Sequence, residues 1–208
     1  MNDKIKNTID FYVVCNKLKD TIRSGHKIWN IKRERVESVA EHIYGTQMLA
    51  IGIYYQFNYD LDLKKILYML AIHELEEIII GDLTYFQISS EEKKIEGKKA
   101  CEEILKNIIG KEEILSLIDE FNEKETKEAR FAYHCDKLEC DIQVRLYDKE
   151  GCFDLNDQPN NPIINNPMVK NRLANFKCLS DSWLDFDRDK YKDDPVFISI
   201  LDYLMENN

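Results

Sequence analysis

Between Leu70 and Thr84 the chain reads LAIHELEEIIIGDLT, which puts His73 and four acids, Glu74, Glu76, Glu77 and Asp82, within ten positions directly after an apolar helical run. Ile66, Leu70, His73 and Glu77 step by four, three and four, so a helix through this stretch sets them on one stripe, apolar residues leading into an imidazole and a carboxylate. Alone, His73 and Glu74 read as a core-edge histidine beside a solvated acidic patch. Two more segments, around His42 and Asp136, offer the same residue types at the same kind of position, and that recurrence constrains the fold.

Taken in order, the periodicity predicts an all-α chain. A first helix spans Asp3 to about Arg23, with Ile5, Ile9, Tyr12, Val13, Leu18 and Ile22 inward and Gly25 as its stop. The segment His26 to Ser38 gathers Lys27, Lys32, Arg33 and Arg35 around Trp29; it reads either as a solvated loop with Trp29 packed inward or as an anion clamp, since guanidinium groups match phosphate oxygens. A second helix runs from Glu37 or Ser38 to Phe57 with His42 near its start, and Gly45 and Gly52 suggest close packing against a neighbour. The third runs from Leu63 through the organising stretch to Gly81, leaving Asp82, Leu83 and Thr84 in a loop. Ser89 to Glu92 is a capping box that opens the next helix, and another covers Glu112 to Asn122. The helix from Lys124 to Tyr147 carries Phe131, Leu138, Ile142 and Leu146 on its apolar side and Asp136 near its middle, where a buried carboxylate needs a cation or hydrogen bonds. Gly151 to Pro167 is a loop, and two short helices close the chain.

With 39 acidic and 29 basic residues, net −10, the chain lacks the basic face that polymeric nucleic acid requires. Its six cysteines are scattered without a CxxC pair, so reduced thiols in a cytoplasmic protein are expected. No apolar run approaches the ~20 residues of a membrane span. The 208 residues suit a single domain, with a core over about 18–147 and a loop plus helical closure over 148–208.

Two imidazoles and two carboxylates, His42, His73, Glu74 and Asp136, suit one divalent ion such as Mn, Co, Fe, Ni, Zn or Mg. In this order they resemble the H…HD…D pattern of the HD-domain phosphohydrolase superfamily, a helical bundle with a central metal site. The blocks ESVAEHIYGTQMLA, AIHELEEIIIGDLT and HCDKLECDIQ are most similar to its bacterial 5'-deoxynucleotidase branch, over about Leu18 to Tyr147. The resemblance implies that His42, His73, Glu74 and Asp136 are metal ligands and that Glu77 and Asp82 handle the attacking water and the substrate. It implies that Arg35 and Trp29, with Arg33 and Lys32 as substitutes and Thr84 as a further contact, hold the phosphate and nucleoside. It further implies a metal-dependent phosphomonoesterase acting on nucleoside or deoxynucleoside 5'-monophosphates, cytoplasmic and homodimeric. One departure stands out: the doublet is His-Glu where the family has His-Asp, lengthening that ligand arm by roughly 1.5 Å. This leaves open a catalytically weakened domain that senses a nucleotide, or an enzyme for another phosphate ester. Glu76, beside the doublet, reads as a solvated surface acid.

Overall fold

The structure is a computed structural model that describes residues 1–84 and 86–207. Its helices are α1 (Asn2–Cys15), α2 (Ser24–Ile28), α3 (Val39–Gln56), α4 (Leu63–Ile72), α5 (Glu77–Ile80), α6 (Ser90–Leu105), α7 (Lys111–Glu123), α8 (Lys127–Lys149), α9 (Pro167–Leu173), α10 (Leu179–Asp187) and α11 (Pro195–Glu206), with 3-10 turns at Asn16–Lys19 and Arg188–Tyr191. The chain is all-α; extended pairing among the described residues is one bridge between Ile22 and Ser38.

Local signals set the helix starts. Ser38 accepts from the Glu41 backbone N–H while the Glu41 carboxylate accepts from Ser38 N–H, a reciprocal cap that opens α3 one residue after the bridge. Ser89 and Glu92 do the same for α6, as their spacing predicts, and Asp62 and Thr126 cap α4 and α8. The central layer is α3, α4 and α8, packed pairwise around Ala50, Ile53, Ile66, Met69, Leu70, Phe131, Ala132 and Leu138. Leu184, Tyr191, Phe197 and Leu201 extend this core from α10, the second 3-10 turn and α11. A second cluster, Leu75, Cys101, Leu105 and Ile118, seats the α6–α7 hairpin beneath α5.

Several expectations give way to packing. The first helix stops at Cys15; the chain turns so that Leu18 is buried while Ile5, Ile9, Tyr12 and Val13 face solvent, and Gly25 lies inside α2. The third helix breaks at His73, with a turn over 73–76 before α5 resumes at Glu77. At the end of α8 it is Arg145, not Leu146, that is buried: its guanidinium bonds Ser180 and Asp181 and clips α10 to α8, while Leu146 is exposed. Gly45 fits the close-packing expectation, because a Cβ there would stand 3.0 Å from Glu139 Cγ and Cδ; at Gly52 nothing lies within 4 Å. The C-terminal region forms three helices rather than two.

Candidate metal centre

Four donor atoms meet where α3, α4 and α8 converge. His42 lies on the buried stripe of α3 with Thr46, Ala50 and Ile53. Asp136 sits mid-way along α8. His73 caps α4 and Glu74 follows in the turn. Consecutive residues of a helix diverge by about 100°, yet in the turn at 73–76 His73 Nε2 and Glu74 Oε1 come within 3.6 Å of each other. His42 Nε2 is 3.1 Å from Asp136 Oδ1 and 3.8 Å from Glu74 Oε1; His73 Nε2 is 3.6 Å from Glu74 Oε1 and 3.8 Å from Asp136 Oδ1. All four side chains are buried, and their donor atoms lie within 4.8 Å of one another.

The tautomers fit a cation. His73 Nδ1 donates to the Leu70 carbonyl at 2.8 Å, so its lone pair is on Nε2, a buried atom with no hydrogen-bond partner. His42 Nδ1 lies 2.5 Å from Glu139 Oε2. With that nitrogen donating, a bare Nε2 lone pair would oppose the Asp136 oxygen. Such outer partners orient imidazole ligands in metal sites. Donors about 2.0–2.2 Å from a single ion are themselves about 3–3.6 Å apart, close to the observed separations. Electrostatics point the same way: burial works against charge on His73, yet the carboxylates of Glu74 and Asp136 raise its pKa, and burial of Asp136 is outweighed by Lys137 and the two imidazoles, which hold it ionised. The cluster is shaped around positive charge.

A family model described as HD domain matches residues 15–160. The chain belongs to the HD-domain family. A 5'-deoxynucleotidase HDDC2 of Dictyostelium discoideum is 32% identical over 155 residues, 70% of this chain and 80% of its own. A 5'-deoxynucleotidase hdd1 of Schizosaccharomyces pombe is 30% identical over 182 residues, covering 82% and 88%. Among solved structures, a predicted metal-dependent phosphohydrolase of Magnetospirillum magnetotacticum superposes at TM-score 0.70 with 18% identity over 98% of this chain and 94% of its own, a likeness of fold.

Around the quartet this HD domain places residues of both signs. Arg23 Nη1 donates to Glu74 Oε1 at 3.2 Å, and its Nε is 3.8 Å from Asp82 Oδ2, which also accepts from Ser24 N–H at 2.7 Å. Burial works against the Arg23 charge, but Asp82, Glu74 and Glu77 hold it firmly cationic. Lys93, from α6, donates to Glu77 Oε1 at 3.1 Å. Burial, then the charges of Glu74 and Asp82, push the Glu77 carboxyl up to about 10. Glu76 is buried rather than solvated: it packs against Gly97, where a Cβ would stand 3.2 Å from Glu76 Cγ, and burial beside Glu74 raises its pKa to about 7.

Cations of the basic loop pair with other acids. Arg35 is 81% exposed and pairs with Glu41, Lys32 pairs with Asp154 and Asp157, and Arg33 pairs with Glu150 over the Tyr147 ring. Trp29 packs with Ile163 and Leu179, matching the inward-facing alternative. Thr84 bonds Gln87 Oε1 through both its N–H and its hydroxyl. Among the described residues, Arg23, Lys93 and Lys137 are the lysines and arginines paired with the quartet and its flanking acids. Sequence reasoning missed all three and Glu139. Glu139 had a legible signal, three residues after Asp136 and so on one helical face. Arg23 had none, because it comes from a segment whose fold the periodicity misjudged.

Proposed function

We propose that this protein is a metal-dependent phosphohydrolase that releases phosphate from nucleoside or deoxynucleoside 5'-monophosphates. The observation that carries this reading is the convergence of His42, His73, Glu74 and Asp136 with an unpartnered His73 Nε2 at its centre; the names of the relatives support the nucleotide. The ion those four residues would hold supplies Lewis-acid polarisation of the phosphoryl group and a lowered pKa for water. Glu77, tethered by Lys93 beside the quartet, orients the attacking water. Arg23, buried and fixed between Glu74 and Asp82, takes the phosphate charge in place of Arg35, and Asp82 positions Arg23 and the leaving oxygen. The family resemblance supports a single-domain, cytoplasmic homodimer.

The test is a phosphate-release screen over nucleoside 5'-monophosphates and divalent metals. Release that chelator abolishes, and that Asp136→Ala loses together with bound metal while helix content stays, is the expected outcome. A metal-replete, active Asp136→Ala protein would refute the assignment. The longer Glu74 arm favours a second reading, a nucleotide sensor; thermal stabilisation by nucleotide without turnover in any metal would select it.

A further inference from the structure

The helix that carries His42 has two faces of opposite character. His42, Thr46, Ala50 and Ile53 line the buried one. Tyr44, Met48, Ile51 and Tyr55 line the other, set off by two residues, or roughly 200° around the axis. Tyr44 is 66%, Met48 48% and Tyr55 68% exposed, and Ile51 is half-buried between them. Their spacing of four, three and four is the a/d seam of a helix pair. Gln47 and Gly52 flank the seam, and Gly52 opens on empty space in its own fold.

We propose that this face of α3 is the surface on which a second copy of the chain docks, seam against seam, directly behind the first metal ligand. The proposal rests on the homodimer of the reading above and adds where it forms. Charge selects the occupant. A chain of net −10 repels its own copies, so an uncharged face is where that repulsion opposes contact least. From Val39 to Gln56 the lone Asp, Glu, Lys or Arg is Glu41, held in the cap. The exposed apolar residues of α1, by contrast, are interleaved with Lys4, Lys6 and Asp10. In area the seam supplies the apolar centre of such a contact: aromatic side chains bury about 150–250 Å² each, so Tyr44 and Tyr55, with Met48, offer roughly 350 Å² at their observed exposures, less than half of the ~800 Å² each partner gives to a standard interface, whose remainder is a polar rim. Gly52 then has a purpose that its own fold does not supply. A helix-weakening residue beside the seam lets the partner backbone approach.

Sedimentation equilibrium of the full chain tests this. The wild type is expected at twice the chain mass, and Met48→Glu and Tyr55→Lys, each on the exposed face, at the single-chain mass with unchanged far-ultraviolet circular dichroism. Gly52→Ala is expected to weaken association tenfold or more; if Gly52 only faces water, the same change raises the thermal midpoint and leaves association untouched. Ile9→Glu on α1 is expected to stay dimeric. A dimer that survives both Met48→Glu and Tyr55→Lys, or that Ile9→Glu alone dissociates, overturns the interface while leaving the homodimer standing. A wild type of single-chain mass overturns both and assigns this face to some other partner. Neither result touches the phosphohydrolase reading, which phosphate release tests separately.

Discussion

Two arginines separate what the sequence displays from what the fold uses. Arg35 stands in the densest basic cluster of an acidic chain and ends up solvent-exposed against Glu41; Arg23 stands in no cluster and ends up buried between Glu74 and Asp82. Charge-assisted hydrogen bonds to a phosphate are worth about 1.5–3 kcal/mol. Arg23→Met is therefore expected to lower kcat/KM by roughly 10- to 150-fold, and Arg35→Ala to leave it within about twofold, as steady-state phosphate release would show. The four quartet residues were legible because each interrupts an apolar helical pattern with a group that such a position tolerates only when partnered. Arg23 was not, since its pairing with Glu74 spans fifty-one residues of sequence and leaves no local trace.

Helix starts were readable where chemistry is local. The Ser38/Glu41 and Ser89/Glu92 reciprocal caps lie where the spacing puts them. Interruptions were not, because apolar periodicity continues through the turn at 73–76 that separates α4 from α5. Gly81 ends α5 at φ +78° and ψ 165°, a backbone region kept almost wholly for glycine, and so aims Asp82 back toward Arg23. Gly81→Ala is expected to cost about 1–3 kcal/mol, a drop of roughly 2–12 °C in thermal midpoint for a chain of this size. Calorimetry would show it, and a fall in kcat/KM should accompany it.

At the scale of the whole molecule, α8 is the post on which both halves turn: one side faces the quartet, the other holds the C-terminal helices through Arg145 and through Asp141, whose carboxylate accepts from the Tyr191 hydroxyl. Burial, then the charge of Asp187, lifts the Asp141 pKa well above 3.8. A carboxyl raised on folding contributes stability that is full below its unfolded value near 3.8 and is lost as pH climbs through the folded one. Asp141→Asn keeps a neutral acceptor for Tyr191, so urea titrations at stepped pH should show a flatter fall in stability above pH 4 than the wild type gives, with the difference growing as pH rises. The C-terminal closure was the least legible region in the sequence, since its anchors are buried polar groups in a stretch whose hydrophobic pattern is short and broken. Gly45 finally shows how far the demands of the quartet reach. The Glu139 carboxylate that steers His42 occupies the volume a methyl group at position 45 would claim. Gly45→Ala is thus expected to act as a metal-affinity mutant, weakening divalent binding by about 10- to 100-fold in calorimetric titration, although residue 45 meets no ligand atom. Even a methyl group that improves helix propensity would there be an intruder, so this stretch of helix stays weak for the sake of a proton on an imidazole.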